Sequence, residues 1–463
     1  MSAAGSHGAG PGTAQHVRVR FEPTAVSAGA RAGLVPRSGA CAAPLPAWHP
    51  AQVIILGGYT EEQQGQPPQQ PHPQQEASTV PAAGAAPAPG SAGAAPPRRA
   101  PTIEAWTYSG EGGGRWSAVE YAPGPVPQPR LTAQAAVLGG GLWLVGGWDP
   151  SAPPDGANPT AAFLNDVWRL DLRTWAWQQV EVVPEPGGEP LPRISRFAMA
   201  PLPPAAGSSS GCSSGSSSGS SSCGSLLIHT HRCGESVMVL HCFDGAAGGE
   251  GSAAQPARAV LRRVPVRGAA ADPPSPPSRG LHSLTLAAAA PGSGTGSASA
   301  ALYVYGGAPQ SGSMYNDLWR LDLETGGWSW VQLDPAGAAP HARCSHVAGA
   351  AGSSSGTGSS SGSSSGSGRY LVVAGGSYYS QPGRLQPLDD VAVYDTQSNA
   401  WLEVEVEGPA PSPRNASIMV PLQPQPLAAV GDSSAANRFL LHGGWRPFVE
   451  TYNDSYIVTV SEV

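Results

Sequence analysis

Asn165-Asp166-Val167-Trp168-Arg169-Leu170-Asp171-Leu172 recurs almost unchanged as Asn316-Asp317-Leu318-Trp319-Arg320-Leu321-Asp322-Leu323, and working outward from this pair uncovers a repeat along the chain. Upstream of each copy an apolar run ends in a glycine pair, Leu142 to Gly147 and Leu302 to Gly307. The same run occurs as Val53 to Gly58, Leu371 to Gly376 and Phe439 to Gly444. A sixth, Leu226 to His231, carries Thr230 and His231 in place of the glycines. Acid-led segments follow at Glu104-Ala105-Trp106, Asp390-Val391-Ala392 and Asp454-Ser455-Tyr456, while Ser236 stands at this position in the third repeat. Before each run lies an arginine close behind a proline: Arg37, Arg130, Arg193, Arg279, Arg343 and Arg414.

Apolar runs this short, without helical spacing, predict strands buried on both faces. The glycine pair supplies backbone that accepts positive φ where strands crowd together. Trp177, Trp328 and Trp401 follow Asp171, Asp322 and Asp395 at a constant offset, which predicts a hairpin and an outer strand. A sheet with two apolar faces needs a neighbour on each side, and repeats of about 50 residues satisfy that need as propeller blades. The combination of Gly-Gly, Asp-Val-Trp and spaced Trp resembles the kelch-repeat family, of the stand-alone kind typified by Rab-effector-like kelch proteins. The resemblance implies an all-β, six-bladed propeller. The last repeat ends after its third strand, so the spare strand His16 to Phe21 is expected to close the ring.

One propeller is therefore expected over 16–463, after a disordered 1–15, with insertions at about 61–101, 207–224, 287–300 and 352–368. The last three are Ser/Gly- or Ala-rich tracts between first and second strands, too poor in apolar side chains to offset chain entropy. Net charge is −7, and no basic run exceeds two residues, which argues against nucleic acid as a partner. All the basic residues counted among Lys and Arg are Arg, which excludes lysine Schiff-base chemistry and a P-loop lysine. No apolar stretch reaches membrane-spanning length and no secretory pattern opens the chain, so a cytoplasmic or nuclear monomer without membrane insertion is expected. The six cysteines lack CxxC spacing, and Cys212 and Cys223 are expected as exposed thiols.

In an up-and-down blade the residues after Gly-Gly open on the end opposite the tracts. Tyr59, Trp148, Tyr378, Tyr379 and Trp445 fall there, either gathered as a partner-binding platform or tucked singly into their loops. The arginines and acids meet on this end too, which predicts structural ion pairs Arg130–Asp166, Arg279–Asp317, Arg343–Asp390 and Arg414–Asp454, with Arg37 facing Glu104. The third repeat breaks the pattern: Ser236 leaves Arg193 without its acid, and Arg196 and His231 lie close by, so either the repeat has decayed or an acidic partner is received there.

Catalytic chemistry finds less support. His229, His231, Cys233, His241 and Cys242 form a cluster of metal-ligand types, yet alternation along a strand sends His241 and Cys242 to opposite faces. Kelch-like enzymes include galactose-oxidase-type copper oxidases, sialic-acid epimerases and iron-dependent specifier proteins. The copper ligands match no motif here, and the specifier pattern begun by Glu450 and Asp454 meets Val458 where histidine belongs. The expectation is a non-catalytic scaffold for a protein partner, without cofactor or metal. The alternative is a kelch-type enzyme or a metal-dependent, specifier-like protein.

Overall fold

The first, second and fifth repeats are each built around a second strand with no exposed face. Val53–Leu56, Gly141–Val145 and Tyr370–Ala374 are buried at each residue, because neighbouring sheets cover both sides. The structure is a computed structural model and describes residues 16–24, 34–61, 99–110, 114–152, 160–203, 222–231, 233–245, 255–268, 274–289, 300–324, 327–352, 368–381, 384–422, 437–447 and 449–463. Among these the chain is all-β, with no α-helix and none long and apolar enough to cross a membrane.

The first five repeats each fold as four antiparallel strands in chain order. In the first they are Cys41–Pro44, Val53–Leu56, Ala105–Ser109 and Arg115–Ala118. In the second they are Gln134–Leu138, Gly141–Val145, Val167–Asp171 and Trp177–Pro184. The third uses Ala198–Pro201, Ser222–His229, Ser236–Phe243 and Arg258–Arg267, and the fourth Ser283–Ala288, Ala300–Tyr305, Leu318–Asp322 and Trp328–Leu333. The fifth runs through Val347–Ala351, Tyr370–Ala374, Val391–Asp395 and Ala400–Trp401. The sixth takes Ile418–Pro421, Arg438–His442 and Ser455–Glu462, and its outer strand is the amino-terminal His16–Pro23. There Val19 faces Val460 and Phe21 faces Val458, and on its other edge His16–Pro23 runs parallel to Glu403–Glu407.

First strands touch one another in the order of the repeats, and Ile418–Pro421 of the sixth touches Cys41–Pro44 of the first. No sheet closes on itself among the described residues. Just before each first strand one residue holds positive φ: Gly39, Thr132, Arg196, Leu281, Ser345 and Ala416. Their backbone N–H groups donate from one repeat to the next, Ala416 to Ser345, Ser345 to Leu281 and Leu281 to Arg196, while Thr132 donates to Gly39 and Gly39 to Ala416. Between Thr132 and the third repeat the link is made by hydroxyls instead, Thr132 Oγ1 to Ser195 Oγ at 2.7 Å.

The glycine pair has a steric cause at this end of the sheets. Gly147 has φ of 112°, and a Cβ there would lie 2.9 Å from the carbonyl oxygen of Leu131. Two expected insertions start or end as strand: Ser222–Gly224 belongs to Ser222–His229, and Arg99–Pro101 pairs with Tyr59–Glu61. Cys223 is accordingly half-buried rather than an exposed thiol, and burial pushes its pKa up to about 12. Residues 1–15, Cys212 and most of the tracts lie outside the described residues.

Candidate interaction face

The glycine end is assembled from repeated clamps, each centred on a buried guanidinium. Arg130, 1% exposed, donates from Nη1 and Nη2 to the two carboxylate oxygens of Asp166 at 2.7 and 2.9 Å. Its Nη1 also reaches the Gly146 carbonyl, and Nε donates to that of Gln128. Arg279 with Asp317 and Arg343 with Asp390 repeat the geometry at 2.6 to 2.7 Å. Arg414 and Asp454 do so as well. In these four clamps each guanidinium nitrogen thus has an acceptor, which offsets the cost of removing the charge from water. The indoles of Trp168 and Trp319 donate to the same carboxylates at 2.7 Å. Burial opposes the charge on Asp166, but hydrogen bonds from Arg130 and Trp168 outweigh it and hold the carboxyl below its ordinary range. Tyr315 and Tyr452 lie over the guanidinium planes of Arg279 and Arg414 at 4.3 and 4.1 Å, contacts the sequence pattern did not reveal.

Two repeats depart from the clamp. Arg37 is buried, yet Glu104 turns its carboxylate to solvent and offers only its backbone carbonyl, so Nε and Nη2 of Arg37 have no hydrogen-bond partner among the described residues. Burial lowers the Arg37 pKa to about 10, with the charge of Glu104 acting in the opposite direction. In the third repeat the anchor is not Arg193. The backbone bond that Gly58 makes to Arg130, and Gly307 to Arg343, is made by Gly147 to Ile194. Ile194 is fully buried among Phe197, Cys233 and Met238. Both charges have therefore gone together, Arg to Ile194 and Asp to Ser236, and Met238 stands where Trp168 and Trp319 need a carboxylate acceptor. Arg193 is exposed and not unpaired: it donates to the carbonyls of Ala161 and Phe163 at 2.9 and 2.7 Å. Counting back three residues from Phe197, as from His282 to Arg279 and from His346 to Arg343, is the sequence signal that would have found Ile194.

The aromatic residues after the glycines sit in small hairpins of their own. Trp148 bridges Leu131 and Phe163, Trp445 pairs with Asn415 and Thr451, and Tyr59 pairs with Ser38 and Pro101. Tyr378 stacks on His341 with ring centroids 4.1 Å apart. Tyr379 is the most exposed of the set at 53%, and Trp148, Tyr59, Tyr378 and Trp445 are half-buried. Of the metal-ligand types, His241 bonds Ser225 Oγ, Cys233 lies buried against Thr230 and Ile228, and Cys242 is buried next to Leu240. His229 Nδ1 meets His282 Nε2 at 2.9 Å, and His231 is half-buried in the turn beyond. Among the described residues no group of three His, Cys, Asp or Glu side chains converges as a metal site would require.

Comparison with known proteins agrees with this repeating construction. The family described as KLHDC2/KLHL20/DRC7 Kelch-repeats domain matches residues 262–420, and the Kelch motif matches residues 129–181. Residues 129–181 and 262–420 thus carry kelch repeats. The chain is similar to acyl-CoA-binding domain-containing proteins 5 and 4 of Arabidopsis thaliana, each 26% identical across 65% of this chain and 35% and 34% of theirs. It also resembles the Rab9 effector protein with kelch motifs of Mus musculus, 29% identical across 31% of this chain and 29% of that one. The chain thus spans about a third of the length of the first two relatives. A solved structure titled YjhT aligns with 92% of this chain and 98% of its own, at 12% identity and a TM-score of 0.49.

Proposed function

We propose that the chain is a non-catalytic protein-interaction module: a six-bladed kelch propeller closed by its amino-terminal strand, whose glycine end receives a loop or peptide of a partner. The closed ring is supported by first strands that touch in order and return from the sixth to the first, and by the backbone bonds that pass through Ala416 to Gly39. The clamps serve as fixed joints in the second, fourth, fifth and sixth repeats, binding the second-to-third connection to the start of the first strand of the same blade. The observation that carries the reading is the contrast at this end between buried, fully bonded clamps and partly exposed aromatics on the loops they hold, Trp148, Tyr379 and Trp445. Rigidly held aromatics lose little entropy on docking and make good anchors. A partner protein is also what the name of the Rab9 effector relative records.

Trp148→Ala and Trp445→Ala are expected each to weaken partner capture by roughly 2 kcal/mol or more while far-UV dichroism and melting hold. Recovery of the same partners from cell extract, at wild-type yield, by a folded Trp148→Ala/Tyr379→Ala/Trp445→Ala variant would remove the site from this end.

A further inference from the structure

The sixth repeat carries a recess of about 300 Å³ lined by Arg18, Arg20, Glu22, Arg438, Thr459 and Ser461. Strand alternation decides which way it faces. On His16–Pro23 and Ser455–Glu462, Val17, Val19, Phe21, Val458 and Val460 pack toward the fifth repeat, so the residues between them point the other way. On that second face Leu440 and Ile457 pack with Tyr108 and Trp116 of the first repeat, which places the recess beside the seam between the sixth repeat and the first. Four other seams are joined by parallel pairing, Glu181 with Arg258, Val266 with Trp328, Ala336 with Ala400 and Arg18 with Glu405. Between His16–Pro23 and Arg115–Ala118 no backbone pairing is made among the described residues, and the recess lies on that side.

Strand register sets its charges in a row. Arg20 faces Glu407 on one neighbouring strand and Thr459 on the other, and Thr459 in turn faces Arg438. With strands about 4.8 Å apart, the Cα atoms of the two arginines stand roughly 10 Å from each other, with a hydroxyl between them. Arg18 and Ser461 form the next pair on the same face. The neighbouring carboxylates lie on the far side of Arg18 and Arg20 or at the rim. Glu405 accepts from Nε and Nη2 of Arg18, Glu407 takes Nε and Nη2 of Arg20, and Glu22 is 3.8 Å from Nη1 of Arg20. Arg438 is exposed and has neither an ion pair nor a side-chain hydrogen bond among the described residues. The row thus reads acid, cation, hydroxyl, cation, and within the recess three guanidinium groups meet one carboxylate.

We infer that this recess binds a tetrahedral oxyanion, either a phosphate ion or the phosphate group of a small monoester, held between Arg20 and Arg438 over the Thr459 hydroxyl. An anion there completes the alternation of charge across the four strands. The forked N–H donors of guanidinium match phosphate oxygens, and the Thr459 and Ser461 hydroxyls add further donors. The residues that carry these donors stand on paired strands, so little reorganises on binding. Glu22 is the opposing charge at the rim. The site is on the flank of the sixth repeat, away from the glycine end, and does not depend on a partner binding there.

Calorimetric titration of the intact chain with sodium phosphate, and in a second arm with glycerol 2-phosphate, tests the site against sodium chloride at equal ionic strength. Saturable binding with a Kd of about 1 mM or tighter is expected in at least one arm. Tighter binding of inorganic phosphate assigns the free ion, and tighter binding of the ester assigns a phosphorylated small molecule. Arg438→Gln, an exposed substitution that leaves the strand pairing in place, should weaken binding about tenfold or more, and Thr459→Val about threefold. Glu22→Gln should tighten it. Arg173→Gln, which removes an exposed cation stacked on Trp48 in the second repeat, should change nothing. No saturable binding of either anion beyond the chloride control, equal affinity in wild type and Arg438→Gln, or an equal loss in Arg173→Gln would overturn the site.

Discussion

Burying a guanidinium is costly unless its inward donors are met, and the second, fourth, fifth and sixth repeats, unlike the first with Arg37, meet them with the same four acceptors around Arg130, Arg279, Arg343 and Arg414. The third repeat solves the same site with no charge, through Ile194 and Ser236. Removing one member of a buried pair strands the other, at about 3–5 kcal/mol, whereas replacing both by neutral groups can cost little. Arg130→Ile or Asp166→Ser alone should therefore destabilise by about that amount, and the double variant by at least about 2 kcal/mol less than the sum. Urea unfolding of the four proteins checks this as a double-mutant cycle, and simple additivity would show that the pair does not act as a unit. The pairs were legible in the sequence because acid and arginine recur at fixed offsets. Ile194 was not, since Arg193 and Arg196 on either side both look like the missing anchor and only the count from Phe197 separates them. Nor was the outward turn of Glu104, because it stands at the same place after the glycines as the aspartates and no spacing rule separates it from them.

At the scale of elements, the amino-terminal strand stands apart because its partners lie at the far end of the chain. Val17, Val19 and Phe21 are buried with Tyr370, Val372, Val458 and Val460, while Arg18 and Arg20 pair at the surface with Glu405 and Glu407. Burying three such side chains is worth roughly 1.5–3 kcal/mol each, and exposed ion pairs contribute less than about 1 kcal/mol apiece. Deletion through Phe21 should accordingly give a protein that aggregates or melts far lower, whereas Glu405→Ala/Glu407→Ala should shift melting only slightly. Light scattering and thermal unfolding distinguish the two, and a truncated monomer with unchanged melting would sink the strand's role in closure. This strand was readable in advance from alternation at His16 to Phe21 and from the third strand left without a neighbour. The edges of the insertions were not: Ser222 and Gly224 have no strand propensity, and they pair because Phe243 and Cys242 lie opposite.

Across the whole molecule, four imidazoles in four different repeats are desolvated, and they make the fold sensitive to acid. Desolvation lowers the pKa of His229, His346 and His442 to about 3, with Arg279, Arg343 and Arg37 respectively adding to the effect. His282, also buried, is held well below its ordinary value by desolvation and by His229 and Arg279. Each is neutral in the folded chain but takes up a proton near pH 6.5 when unfolded. The unfolded state therefore binds more protons below that pH, and stability, fully present above it, falls by about 1.4 kcal/mol per unit for each histidine until the folded pKa is reached. Four together remove about 5 kcal/mol per pH unit, against a total of roughly 5–15 kcal/mol for an ordinary domain. Cooperative unfolding is expected between about pH 6 and 4, before the Asp166 carboxylate, held low by Arg130, begins to lose its charge. His442 shares a hydrogen bond with Ser455 at 2.8 Å and packs on Trp116, so His442→Asn keeps a polar partner and removes the protonation. That variant, alone and with His229→Gln, should unfold at progressively lower pH by circular dichroism once its stability at pH 8 is subtracted. An acid midpoint that does not move in either would mean that carboxylate protonation, not these imidazoles, sets the acid limit of the fold.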